Sequence, residues 1–413
     1  MTIKSKFQIW EIALLVALFF FSISLFNLAG YIYSAIIAVM LVFNVVRIKL
    51  SIPELILLFF SVSLFGFDLY HNGFNIESLI LYLLGPWTAY MIGKMFVMNS
   101  KHENAFMILI TVLALGMFLH GILNLYAYTK SNHFATYDNY RRSVDFWRQE
   151  LVAVTVTGMY FTFAAGLSIG ALFSNTRTLF KIIAGIVLAV CVAASVFFAN
   201  RTLLIILILI ACWKGIMLML SRKISKRAKI ISVVSVIIAI AIGIIILSSN
   251  LFGIADKIHA LKIFQRITSG EESNRFMVWA YFFKDANFIR FPFGGGHILE
   301  DTPLRYLHNL WLDVYNATGV ITFISLVAFS ICMIFYYRYF RIAMKENKLD
   351  SEYVIFQCMI IATVLNCAVE PIVEANPYFF LIAIMYFGAM DGKTLKLTHL
   401  VDEPPVALTG NRL

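Results

Sequence analysis

Charge is scarce in this sequence. Only 14% of its 413 residues are Asp, Glu, Lys or Arg, while 61% are hydrophobic and the mean hydropathy is +0.84. Soluble domains carry about 25% charged residues, so a soluble globular chain is excluded. Cysteine is equally sparse. Cys191, Cys212, Cys332, Cys358 and Cys367 all lie in apolar runs and none forms a CxxC pair, which argues against a disulfide framework and a zinc site. There is no GxxxxGK[ST] loop, so P-loop ATP hydrolysis is out. There is no DxD pair to hold a metal on a nucleotide sugar and no HExxH. The glycines at 294–296 follow no strand and lack dinucleotide-binding spacing. No metal or cofactor is therefore expected.

What remains is apolar sequence in long runs. Stretches of about 17 residues or more recur along the chain, each long enough to cross a bilayer core. The expected fold is all-α, a polytopic membrane protein with about 12 helices at 9–28, 30–47, 53–70, 77–97, 104–127, 151–173, 179–199, 202–220, 229–250, 306–337, 352–369 and 374–390. The first run lacks a small-residue cleavage site and reads as a retained helix. Residues 1–392 form one transmembrane domain in this reading, and 393–413 a disordered cytoplasmic tail.

The formal net charge is +10. In a membrane protein that balance reflects topology and anionic lipid rather than nucleic acid. With the N-terminus inside, the short inner loops hold Arg47, Lys49, Lys94, Lys101, Arg177, Lys181 and the basic runs "SRKISKRAK" and "RYFRIAMKENK". The short outer connections "NLAG", "YHNGFN" and "EPIVEANP" hold no Lys or Arg. Two larger outer segments, 129–150 and 251–305, break the rule. The first holds Arg141, Arg142 and Arg148, and the second holds Arg266, Arg275, Arg290 and Arg305 among others. Positive charge kept outside points to an anionic ligand. Within the second segment, apolar residues at Ile254, Ile258, Leu261, Phe264 and Ile267 predict an amphipathic surface helix. Ser273 is placed to cap a helix over 274–288. The three glycines suggest a hinge.

The candidate chemistry gathers at that outer face. Arg201 ends an apolar helix there, where a guanidinium is costly unless it is paired or snorkels to the interface. Arg275 opens a helix, where taken alone it reads as a surface charge stacked on Trp279 one turn later. His308 opens the tenth span. On a helix Arg305, His308, Asn309, Leu312 and Asn316 share one face. A lone interfacial His is usually a structural hydrogen-bonding residue, but the polar face strengthens the catalytic reading. Imidazole can take a proton from a sugar hydroxyl, and arginines can grip a departing pyrophosphate in bidentate fashion.

Three stretches, "NRTLLIIL" from Asn200, "NRFMVWAYFFKDANFIRFPFGGG" from Asn274 and "HNLWLDVYNATG" from His308, resemble the signatures of the bacterial O-antigen ligase and polymerase superfamily. By motif the resemblance covers roughly residues 195–330. It includes a P-x-G-x-G-like turn at Pro292, Gly294 and Gly296, and Gly319 after the His-Asn pair. The resemblance implies a GT-C-like, metal-independent, inverting glycosyltransferase of the bacterial inner (cytoplasmic) membrane, active on its extracytoplasmic face. The implied donor is an undecaprenyl-pyrophosphate-linked glycan and the acceptor a glycan or lipid-linked glycan, with a chain-length regulator as partner. Carried over by position, His308 is the general base and Arg201 and Arg275 bind the pyrophosphate. Arg142, Arg148, Arg290, Arg305 and Asn309 are substrate-binding candidates. "RRSVDFW" tilts the reading towards a polymerase of O-antigen, capsule or exopolysaccharide; a ligase to lipid A core is the alternative. A transporter of lipid-linked glycan would need an internal repeat and charge at the bilayer midplane, and neither stands out. A scaffold would not need these arginines beside a histidine.

Overall fold

The computed structural model describes residues 7–44, 50–131, 142–220, 263, 274–284, 287–300 and 306–402. Of these, 83% are helical. The helices are α1 Ile9–Ser22, α2 Ala29–Asn44, α3 Ile52–Asn72, α4 Ile76–Asn99 and α5 Ala105–Lys130. A two-stranded antiparallel hairpin follows, β1 Arg142–Val144 and β2 Leu151–Ala153. Then come α6 Val154–Phe173, α7 Thr178–Phe197, α8 Arg201–Leu220, α9 Asn274–Phe283 and the single turn α10 Asn287–Arg290. The chain closes with α11 Leu310–Thr318, α12 Val320–Glu346, α13 Asp350–Val369, the turn α14 Ile372–Ala375 and α15 Pro377–Asp402.

Eight of these, α3 to α8, α12 and α13, are long and apolar enough to cross a membrane. The chain thus has the all-α architecture of a multi-pass membrane protein, whose helices satisfy their own backbone in lipid. Large apolar side chains stay exposed on α7 (Leu179, Ile182, Ile186) and α8 (Ile205, Ile208, Ile216), as lipid-facing surfaces require. The expected ninth span at 229–250 and the amphipathic helix from Ile254 lie outside the described residues, Ile263 excepted.

Several boundaries depart from the sequence reading. The expected span at 306–337 is two helices. Gly319, at φ +85°, ends α11 and begins α12. The sixth span starts at Val154, because Leu151–Ala153 pairs as strand β2. The last helix runs ten residues or more beyond the expected 390, so residues 393–402 are helix rather than disordered tail. Lys393 there meets Glu352 at 3.3 Å. Lys94 is no loop charge. It lies inside α4, buried, 3.2 Å from Glu54 and 3.0 Å from Asp391.

The described chain gathers into two compact units, one of residues 1–120, 275–353 and 367–413, the other of 121–274 and 354–366. In the first, α3 starts on the Ser51 and Glu54 capping box, with Pro53 in its first turn. Pro86 has no N–H to donate and crowds the carbonyl four residues back, and α4 takes a π-turn over Leu79–Leu84 just ahead of it. Small residues at Gly93, Gly388 and Gly392 bring the α4 and α15 backbones into contact. In the second unit, Gly166 and Gly170 of α6 pack on the α13 backbone at Met359 and Ile355, and Asn366 donates to Thr162 at 2.6 Å.

Candidate active site

The site grows from the segment before α11. Asn309 caps that helix: its side-chain oxygen accepts from the N–H groups of Trp311 and Leu312, at 3.1 and 3.2 Å. The Asp313 carboxylate folds back and accepts from Leu307 N at 2.7 Å and Asn309 N at 2.9 Å. Helix therefore begins at Leu310, and His308 and Asn309 precede it rather than sharing a helical face with Asn316. Asp313 is buried, and loss of hydration pushes its carboxyl up to about 6, against the pull of those two N–H groups.

Between these bonds His308 adopts φ +54°, in the left-handed region. Non-glycine residues are held there only when their surroundings over-determine them, and such positions cluster at functional sites. The surroundings are plain. Asp313 fixes the amides on both sides of His308. Trp279 of α9 donates from Nε1 to Leu307 O at 2.6 Å, and the Asn309 amide donates to Ala368 O at 3.0 Å. Trp279 is thus committed to the backbone beside His308, and Arg275, one turn earlier, reaches elsewhere.

Arg275 meets Glu370, its Nη2 2.6 Å from Oε1. The other carboxylate oxygen, Oε2, stands 3.7 Å from His308 Nδ1. Neither of those two atoms has a hydrogen-bond partner among the described residues. Glu370 is 1% exposed at its side chain, while Arg275 and His308 are 24% and 25% exposed. A buried carboxylate thus joins a half-buried guanidinium and a half-buried imidazole. An approach of less than about 1 Å would make an Nδ1–H to carboxylate bond and leave Nε2 as the basic nitrogen. Catalytic hydrogen bonds are often long before substrate binds.

The glycine turn supports this platform from below. It is a docked turn rather than a hinge. Gly294, Gly295 and Gly296 all have φ between +76° and +81°. Gly295 N donates to Ala317 O at 2.9 Å and Gly296 N to Asn316 O at 2.8 Å, which satisfies the last carbonyls of α11. A Cβ on Gly294 would lie 2.6 Å from Gly319 N. Val278, Phe282, Ile298, Leu299, Leu307 and Tyr315 form the apolar core beneath.

The remaining sequence candidates fall elsewhere. Arg290 ends α10, exposed. Arg305 and Ser273 lie outside the described residues. The expected helix over 274–288 stops at Phe283. Arg142 sits on β1 and Arg148 in the hairpin turn, both exposed, in the second unit. Arg201 is the first residue of α8 in that unit, half-buried, just after Asn200, whose side chain accepts from Leu203 N at 3.0 Å. A cation at a helix N-terminus opposes the helix dipole. Glu370 and Asp313 were missed. For Glu370 the available signal was an acid ending a long apolar run directly before Pro371. For Asp313 it was an acid four residues after the capping Asn309.

Among the described residues no group of three or more His, Cys, Asp or Glu could hold a metal ion. No protein-family model matches the chain, and no curated protein matches it significantly.

Proposed function

We propose that this protein is a membrane glycosyltransferase that polymerises undecaprenyl-pyrophosphate-linked oligosaccharide units into a surface polysaccharide on the extracytoplasmic face. The observation that carries the reading is Glu370, which ties the two residues singled out by the motif resemblance, Arg275 and His308, into one cluster. His308 Nε2 takes the proton of the acceptor hydroxyl. The acceptor oxygen forms its bond to the anomeric carbon as the bond from that carbon to the pyrophosphate oxygen breaks. The electron pair leaves on the pyrophosphate, and configuration inverts. Arg275, oriented in advance by Glu370, meets the charge that develops there. Glu370 steadies the imidazolium formed at His308. Asp313, Trp279 and Asn309 hold His308 in its costly backbone conformation.

The buried Glu54–Lys94–Asp391 cluster is the feature that favours a transporter, since charge within a span is often functional. Lys94 there directs bonds or ion pairs to Ser51, Glu54 and Asp391, which matches its three N–H donors and reads as a structural tie.

The test is complementation of a strain lacking the protein, with surface glycan scored by gel, wild type beside His308→Ala at matched expression. Loss of glycan in the variant alone supports the assignment. Single repeat units accumulating without the protein identify a polymerase, and finished chains stranded on carrier lipid identify a ligase.

A further inference from the structure

The C-terminal end of α12 carries a feature that the reaction does not use. The helix, Val320–Glu346, is long and apolar enough to cross a membrane. One side packs inward through Phe329, Met333, Phe340, Ala343 and Met344. The other side exposes Ile331, Ile334 and Phe335, and then Arg338, Arg341 and Lys345. At about 100° per residue these six fall within roughly a 120° arc. A single stripe thus turns from hydrocarbon to cation along its length. Tyr339 and Ile342 are exposed beside it.

Length places the change. About 20 helical residues cross a hydrocarbon core of about 30 Å, and that count from Val320 ends at Tyr339. With Val320 at one boundary, Arg338 and Arg341 stand at the depth of the lipid phosphates at the other. Lys345 lies about 6 Å beyond Arg341 along the axis. None of the three cations has an ion-pair or hydrogen-bond partner among the described residues. Glu346 is the one acid in the last three turns of the helix.

Topology asks only that cations lie on one side of the membrane, and the helix dipole only that they lie near the C-terminus. Neither asks that unpaired guanidinium groups continue a lipid-facing stripe. A phospholipid fits that arrangement. Its acyl chains lie along Ile331, Ile334 and Phe335, and its phosphate accepts from Arg338 and Arg341.

We propose that this stripe binds an anionic glycerophospholipid of the surrounding bilayer, on the leaflet opposite the candidate active site. The helix starts at Gly319, against the glycine turn, and the cations stand about 30–40 Å along its axis from there. The inference goes beyond the glycosyl-transfer reading and does not depend on it.

The test is native mass spectrometry of the full-length protein in detergent, titrated with phosphatidylglycerol and with phosphatidylcholine of the same acyl chains. Wild type is expected to bind phosphatidylglycerol more tightly. Arg338→Gln with Arg341→Gln and Lys345→Gln should lose roughly a hundredfold towards phosphatidylglycerol, at about fivefold per cation, and leave phosphatidylcholine unchanged. Arg177→Gln with Lys181→Gln, at the start of α7, should change neither. Ile334→Ala with Phe335→Ala should weaken both lipids. Inorganic phosphate should displace the lipid no more than chloride does at equal ionic strength. Each variant is first shown to elute as wild type in gel filtration. Equal affinity of wild type for the two lipids would overturn the proposal, and that comparison needs no variant to fold. So would a loss in the Arg177 and Lys181 variant equal to that of the triple variant, or displacement specific to phosphate. His308→Ala should bind as wild type does, so a failure of the transferase reading leaves the lipid site standing.

Discussion

Glu370→Gln is the most informative single change. The side chain keeps its shape and loses its charge. Arg275 then faces a neutral amide in place of a carboxylate at 2.6 Å, and His308 loses the anion 3.7 Å from Nδ1. Removing one partner of a buried ion pair costs about 3–5 kcal/mol. Here the Arg275 side chain is 24% exposed, so water relieves part of the loss and about 2 kcal/mol of stability is expected. The kinetic effect should be larger. General-base catalysis contributes about 10²–10⁴-fold. An imidazolium without its carboxylate should forfeit roughly 10²-fold in kcat, or about 2.7 kcal/mol of barrier. KM should rise as well, because Arg275 is no longer held. The assay is turnover of a synthetic polyprenyl-pyrophosphate oligosaccharide by purified protein, with thermal unfolding measured in parallel. A kcat within about threefold of wild type, less than ~0.7 kcal/mol of barrier, would refute the role given to Glu370.

Asp313 gives a pH signature. Its carboxyl is raised in the folded state to about 6 from 3.8, so in that window the folded protein binds more protons than the unfolded. Stability from this group is present below about 3.8 and lost as pH rises through about 6, on the order of 3 kcal/mol in total. Melting temperature against pH should show this fall in wild type and a flatter profile in Asp313→Asn; identical profiles would contradict it. Gly294→Ala should abolish activity at a distance from the reacting groups, because φ is +77° and the new Cβ would press on Gly319 N. A fully active variant would show that the docked turn does not support the site. Lys94→Met should destabilise by about 3 kcal/mol or more, leaving Glu54 and Asp391 as buried unpaired acids. Asp391→Asn keeps one ion pair and should cost less, an order readable from thermal melts in detergent.

The membrane architecture was legible because it rests on composition and length, and lipid leaves a helix few alternatives. The boundaries were less so. Gly319 stood out as a motif glycine after the His-Asn pair but not as a helix break, and only the approach of the 292–296 turn to it explains the break. The glycine triplet read as flexible because sequence shows conformational freedom and not the carbonyls of Asn316 and Ala317 that use it. Lys94 was assigned to a loop because its partners, Glu54 and Asp391, lie far off in sequence. At the site, Arg275 and His308 were visible as residue types in unusual places. Glu370 was not, because an acid before a proline at the end of an apolar run is a weak local signal, and its role exists only once α13 ends beside His308.

The most direct measurement is reconstitution of the purified protein in proteoliposomes with a lipid-linked donor and acceptor, wild type beside His308→Ala. Wild type should lengthen the glycan and release one polyprenyl pyrophosphate for each glycosidic bond formed, and the variant should do neither at equal protein. Equal release by His308→Ala, or movement of intact lipid-linked glycan across the bilayer with no bond made, would contradict the assignment.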